Sequence, residues 1–480
     1  MKTKDLFFVI LGCMACLMMG CSEFEMTDNV MENAQLKSAS ATPLFIVEPG
    51  GGDDTPAIMQ AFNDAKAAGP GSMVQLVEGE YHLGFIEIRD FYGSFCGAGK
   101  DMTILTAMDN LGAQALIAQG QYPQLMKFVG GDVHISDFTL RTPEGAISDM
   151  PNGHIQCLMG FSAYNAIYEL GNEERSINAV IDNVSLHGQF LETGMGFYKY
   201  TYNCLHAVRA GWDFTGYAAL PREHINIKIT NCDFNTFCYG MVLEAMKDSE
   251  VIVGEKNNGN TINNCEQGGG VWESRRMNIL VEGNTFNVPE LSWGFDVVDY
   301  PYYENYGILK YEPETEATIC NVNSNVFNLA TSDYGLYLRN QRHFVYSGEM
   351  ATAFQVKNNT FNMSNPGYDW GILAQVTEGA VIRNNQFKGH GQLGVYLQLY
   401  ASNGLILGNN FSAIELGYGS ILLDSNTWDW TVVGGGDNQE LVVNLGTNNI
   451  ITGVNVSTSD IPLGRSVAEK ISEMNSLMHQ

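Results

Sequence analysis

Between residues 240 and 400 the chain carries aromatic, amide and charged side chains at recurring positions. Short segments recur that begin with glycine and alternate apolar with variable positions: Gly240-Met-Val-Leu-Glu, Gly270-Val-Trp-Glu-Ser, Gly294-Phe-Asp-Val-Val, Gly335-Leu-Tyr-Leu-Arg, Gly371-Ile-Leu-Ala-Gln and Gly394-Val-Tyr-Leu-Gln. Period-two alternation describes a strand with one buried face. If the first and third residues after each glycine are buried, the second and fourth face solvent. One column then reads Val242, Trp272, Asp296, Tyr337, Leu373, Tyr396, and the other Glu244, Ser274, Val298, Arg339, Gln375, Gln398. Trp272, Tyr337 and Tyr396 would stack on sugar rings, while Gln375, Gln398 and Arg342 would bond hydroxyls. With a rung spacing of ~4.8 Å, six such strands make a strip ~24 Å long.

Two chemistries fit that strip. In β-elimination on a uronate polymer, Asp296, Asp299 and Glu244 would hold a calcium ion bridging the sugar carboxylate. One of Arg339, Arg275 and Arg276 would be the base or the clamp on the developing anion. In hydrolysis a carboxylic acid and a carboxylate flank the scissile bond, and Asp296 with Asp299 is the first pair to consider. Their spacing of three residues puts them on opposite faces of a regular strand. The rival from another class is a non-catalytic surface protein, an adhesin or glycan holder, on the same strip. Lys247, Arg276 and His343, with the arginines already named, gather basic charge just beyond the strip.

The elements that position these residues are visible as a repeat. The pattern [Val/Ile]-x-x-Z-x-[Phe/Leu], with Z often Asn, occurs at Ile135/Phe138/Leu140, Ile181/Val184/Leu186, Ile229/Cys232/Phe234, Val281/Asn284/Phe286, Val322/Asn325/Phe327, Val356/Asn359/Phe361, Ile382/Asn385/Phe387 and Ile406/Asn409/Phe411. A degenerate copy ends at Asn260-Thr261-Ile262. From Phe234 through Ile262, Phe286, Phe327, Phe361, Phe387 and Phe411 the steps are 28, 24, 41, 34, 26 and 24 residues. A floor near 24 with variable excess is a stacked repeat with loop insertions. Stacking brings Asn over Asn, so the Asn column is a structural ladder. The expected fold is all-β, a single right-handed parallel β-helix over residues 43–463.

This layout resembles the pectate-lyase superfamily of right-handed parallel β-helices, over roughly residues 43–460. The N-terminal stretch is similar too: Asp53-Asp54-Thr55-Pro56, then AIMQAFNDAKAAG, MVQLVEGEYHLG and Cys96-Gly97-Ala98-Gly99-Lys100-Asp101-Met102-Thr103. Lyases of that architecture fit the elimination described above. Asp54 or Thr55 is expected to cap a helix with Pro at its first turn. Ile58, Ala61, Phe62 and Ala65 form its apolar face, which would plug one open end of the coil. Residues 464–480 are expected to form a second capping helix with Val467, Ile471, Met474 and Leu477 on one side. Gly389-His390-Gly391 matches a tripeptide of polygalacturonases, but the carboxylate and Arg-x-Lys partners of that family are missing from the right order, and a turn is expected there.

Composition bounds the rest. A hydrophobic content of 45% with 16% charged residues and 52 glycines supports a large packed β core and excludes disorder. With 25 basic against 53 acidic residues, the net charge of −28 argues against nucleic acid as a partner. Lys2 and Lys4 before the apolar run Leu6–Met19 and Gly20-Cys21 read as a bacterial lipoprotein signal over residues 1–21, with lipidation at Cys21. Residues 22–42 read as a flexible tether. The expected location is the bacterial cell envelope, by a lipid anchor on the outer membrane, and the expected partner is a polysaccharide or oligosaccharide. The seven cysteines after Cys21 have no metal-ligand spacing and suit buried filler positions.

Overall fold

The computed structural model describes residues 42–108, 123–143, 155–163, 175–192, 200–202, 204–211, 223–272, 274, 276–289, 293–299, 318–330, 334–340, 353–365, 367, 369–434 and 441–458. The signal segment with Cys21, the tether before Thr42, the helix expected at 464–480, and Arg275, Arg342 and His343 lie outside the described residues.

The chain winds as a right-handed parallel β-helix in which every long-range strand pairing of the main sheet is parallel. Each coil lays down up to three short strands, one on each of three sheets. Strands such as Asn278–Glu282 and Ile319–Asn323 belong to the first sheet, Thr285–Val288 and Val326–Leu329 to the second, and Trp293–Asp299 and Tyr334–Asn340 to the third. The sequence template gives the register directly. Val281 pairs with Val322, which pairs with Val356, and Phe286 pairs with Phe327 and then Phe361. The degenerate copy is a true coil, with Ile262 between Phe234 and Phe286.

The interior is held by two columns. Phe286, Phe327, Phe361, Phe387 and Phe411 stack face to face at centroid spacings of 4.8, 4.9, 5.0 and 4.6 Å. Beside them Asn260, Asn284, Asn325, Asn359, Asn385 and Asn409 form a buried ladder. Each Nδ2 from Asn260 to Asn385 donates to the Oδ1 of the next coil at 2.9 or 3.0 Å. The same Oδ1 also accepts the preceding ladder residue's backbone N–H, as Asn359 does from Asn325 at 2.9 Å. The residue before each ladder Asn from Asn284 to Asn409 turns the corner with positive φ: Gly283 (72°), Ser324 (56°), Asn358 (59°), Asn384 (56°) and Gly408 (63°). Small or amide residues there tolerate the left-handed conformation.

At the N-terminal end, helix α1 (Thr55–Ala68) buries Ile58, Ala61, Phe62 and Ala65, as the sequence indicates. Phe62 packs on Phe91, Phe95 and Phe128, closing the first coil. The cap differs from expectation. Asp54 makes no side-chain bond to the helix N–H groups. Its carboxylate instead accepts from the Gly50 N–H (2.6 Å) and the His82 N–H (2.9 Å), tying the helix to the coil. The turn expected at Gly389-His390-Gly391 is also absent. Parallel pairing continues through it, with His390 between Ser364 and Glu415, and the strand bends at Gly389, φ 94°. His390 Nδ1 lies 3.1 Å from Glu415 Oε2, both exposed. All seven cysteines after Cys21 are free thiols, six of them buried.

Candidate functional site

The third sheet presents alternate residues to the interior and to its outer side. Leu336 and Leu338 join the main core, while Tyr337 between them belongs to a separate apolar cluster. Strand register sorts the outer side into three columns. The first is Gln267, Trp293, Tyr334, Trp370, Leu393; the second is Val242, Gly270, Asp296, Tyr337, Leu373, Tyr396, Leu422; the third is Glu244, Trp272, Val298, Arg339, Gln375, Gln398.

Two expectations are corrected here. Trp272 stands in the third column beside Glu244, because Gly268 and not Gly270 is the counterpart of Gly240. The cause is packing. A Cβ on Gly268 would lie 2.8 Å from the Phe286 ring and 2.2 Å from the Gly294 carbonyl, so only glycine fits. The Trp272 indole then folds over Gly270, where a side chain would collide with it. Second, these columns are not a solvent-facing strip. Tyr337 is 1% exposed, Tyr396 2%, Gln375 0%, Gln398 2% and Asp296 and Glu244 6%. Trp272, Trp293 and Arg339 are half-buried and form the accessible rim.

Asp296 is the centre of this face. Its Oδ2 accepts from Gln267 Nε2 at 2.6 Å and from the Tyr334 hydroxyl at 3.4 Å, while Oδ1 is buried with no partner. Burial pushes its carboxyl well above the usual range, against the smaller opposing pull of those two donors. Burial therefore favours the protonated form of Asp296. Trp293 stacks on Tyr334 at 5.7 Å, and Tyr334 meets Tyr337 at 5.3 Å. Arg339 Nη1 donates to the Tyr337 hydroxyl (3.3 Å), which donates to Gln375 Oε1 (2.7 Å). An arginine can only donate, so this relay fixes the Gln375 carbonyl toward Tyr337 and turns its amide nitrogen away. Trp293 Nε1, Gln375 Nε2 and Gln398 Nε2 are, like Asp296 Oδ1, buried without partners. Next to Gln267, burial raises the Glu266 carboxyl to about 7.

The other candidates are placed apart. Glu244 is ion-paired with buried Arg209, and burial raises its carboxyl while Arg209 opposes the shift. It stands two rungs from Asp296, and among the described residues no three His, Cys, Asp or Glu side chains converge as a metal site. Glu244 already has the Arg209 guanidinium as its partner, whereas calcium takes six to eight oxygen ligands. Asp299 extends the Asp296 strand opposite Asn340, and its side chain lies outside the described set. Arg276 leaves the face altogether, its Nε bonding Asp248 at 2.5 Å on the surface.

The first column was not anticipated from sequence, nor was the pair of His206, buried against Tyr239, and Arg209. The available signal was the aromatic immediately before the glycine, in Trp293-Gly294, Tyr334-Gly335 and Trp370-Gly371.

No family model matches the chain, and no curated protein matches it. Solved structures with a similar fold include a DFA-IIIase from Arthrobacter chlorophenolicus, at 10% identity and TM-score 0.49 over 88% of this chain and 100% of that one. An A-module of a mannuronan C-5 epimerase from Azotobacter vinelandii is similar at 14% identity and TM-score 0.42, covering 86% and 97%. The catalytic unit of a GH87 α-1,3-glucanase from Streptomyces thermodiastaticus is similar at 14% identity and TM-score 0.44, covering 89% and 71%.

Proposed function

We propose that this protein binds a polysaccharide at the outer face of the third sheet and cleaves it by β-elimination at uronate residues. The observation that carries the reading is the set of four buried polar atoms without partners, Trp293 Nε1, Asp296 Oδ1, Gln375 Nε2 and Gln398 Nε2, set among aromatic rings. Each such atom costs ~1–3 kcal/mol in a folded protein. A sugar chain would satisfy them with its hydroxyls and carboxylates while its ring faces lie on the half-buried Trp272 and Trp293. The chain would enter over the half-buried rim of Trp272, Trp293 and Arg339.

In the elimination a base removes the proton from the carbon bearing the carboxylate. That electron pair becomes the double bond, and the C–O bond to the departing sugar breaks. Neutral Asp296 donates its proton to the departing oxygen. Arg339 suits the clamp on the carboxylate better than the base, since a guanidinium keeps its charge. Hydrolysis is the second reading, favoured by the same neutral Asp296, which is the protonation state a general acid needs. Export and lipid anchoring at Cys21 in the cell envelope complete the proposal.

The test uses residues 22–480, with and without calcium, on a panel of uronate-containing and neutral polysaccharides. Ultraviolet absorbance of the unsaturated product and reducing ends are followed together. Absorbance that rises and is lost in Asp296→Asn and Arg339→Ala supports the lyase. Reducing ends without absorbance replace it by hydrolysis. Glycan binding with neither signal removes the catalytic reading and leaves a binder.

A further inference from the structure

The second sheet carries another regular array on its outer side, away from Asp296. Asn235, Asn263, Asn287, Asn328 and Asn362 each follow the core residue of their strand and occupy successive rungs. They form a second ladder, partly exposed and opposite in sense to the buried one. Nδ2 of each coil donates back to Oδ1 of the coil before it, at 3.1, 2.6, 2.7 and 2.7 Å. Two residues earlier on the same side stand Thr261, Thr285, Val326 and Thr360, also in register.

Hydrogen-bond accounting shows what this face offers. A side-chain amide has two N–H donors and a carbonyl with two lone pairs. The interior members Asn263, Asn287 and Asn328 each spend one donor and one lone pair on the ladder. Each therefore keeps a donor and an acceptor for solvent, repeated every ~4.8 Å. Amide bonds exposed to water contribute little net stability. What the ladder does accomplish is to hold the amides in one orientation, so a ligand meets them already ordered.

The charge pattern selects the ligand. From Thr261 to Asn362 these two columns contain no ionisable residue, in a chain of net charge −28. The row ends in charge on both sides, at the Lys100–Asp233 ion pair (2.8 Å) and at Lys388. A straight, uncharged row of paired donors and acceptors is complementary to a neutral, extended molecule bearing hydroxyls at regular intervals.

We propose that the outer Asn–Thr array of the second sheet is a second glycan-binding surface, which docks an extended strand of neutral polysaccharide along the helix axis. It is independent of the chemistry at Asp296 and would hold the protein against a polymer matrix.

The experiment measures depletion of residues 22–480 from solution by microcrystalline cellulose, mannan and an insoluble β-1,3-glucan, with light scattering for mass. Wild type is compared with Asn287→Ala/Asn328→Ala, with the milder Asn287→Asp, and with Asn278→Ala, an exposed amide of the first sheet that bonds Glu250. The expected result is binding to at least one neutral polymer, weakened tenfold or more in both ladder variants at unchanged melting temperature, and kept in Asn278→Ala. Binding to none of the three overturns the proposal, and so does binding that both ladder variants keep in full. A dimer that dissociates in the ladder variants also overturns it, assigning the face to a second copy of this chain. None of these outcomes bears on whether Asp296 is catalytic, which the product assays decide separately.

Discussion

The buried Asn ladder inside the coil and the outer face of the third sheet both stack polar side chains on successive rungs, out of reach of water. They differ in completeness. Asn325 uses its amide fully inward: Nδ2 reaches the Val281 carbonyl (2.8 Å) and Asn359 Oδ1 (3.0 Å), and Oδ1 accepts the Asn284 backbone N–H (3.0 Å) and its Nδ2 (2.9 Å). Gln398, about as deeply buried, has an amide nitrogen with no partner, and Asp296 has a lone carboxyl oxygen. Buried polar groups in native proteins are nearly always bonded. A network closed on itself serves the fold, whereas the open one on the face lined with aromatic rings is the one the proposed glycan would close.

Breaking the closed network has the largest expected effect. Asn325→Ala takes the ladder partner from the Val281 carbonyl and the Asn284 N–H in the core and leaves Asn359 Oδ1 with one donor of two, at a cost of about 3 kcal/mol or more. Chemical denaturation reads this as a lowered midpoint. A loss under 1 kcal/mol would mean that water enters the gap and that the ladder is not the internal frame.

The open network responds in the opposite direction. Gln398→Leu removes a buried amide that has nothing to bond, at similar volume, and is expected to raise stability by about 1 kcal/mol. The same change is expected to weaken glycan binding about tenfold, read by affinity electrophoresis or calorimetry. Gln375→Leu gains less, because it also removes the acceptor of the Tyr337 hydroxyl. A Gln398 variant that is less stable and binds unchanged would make this residue part of the closed class.

How much of this contrast was legible in the sequence follows from what repeats. A coil stacked on its own copy must place like on like, so the Val, Asn and Phe columns announced the architecture and the ladder. The glycine column was readable as a column but not in register at Gly268-Gly269-Gly270, where three glycines offer three alignments. The Phe286 ring and the Gly294 carbonyl select Gly268. Burial of the outer face was misread by assuming that an alternating strand has one wet side. Tyr337, Leu373, Tyr396 and Leu422 form an apolar column in their own right, and that was the sign of a covered face. The partnerless atoms had no signal at all, since partnership depends on side-chain direction across coils.

The smallest effect separates the two regions by pH. Asparagines do not titrate, so the deficit of Asn325→Ala should be the same at pH 4 and pH 8. Asp296 behaves otherwise. Its folded carboxyl is raised by burial, against about 3.9 in the unfolded chain. The folded state therefore holds the proton more tightly, and the stability this contributes is full below about pH 4 and is lost as pH climbs toward the folded value. Asp296→Asn, permanently neutral, should match wild type near pH 4 and become progressively the more stable protein above it. Glu266, raised to about 7, adds a second component between about pH 4.3 and 7 that Glu266→Gln removes. Melting temperatures of wild type and the three variants across pH 4–8 test this directly. A difference between Asp296→Asn and wild type that stays flat with pH would mean Asp296 ionises as an ordinary carboxylate, and its role as proton donor would fall with it.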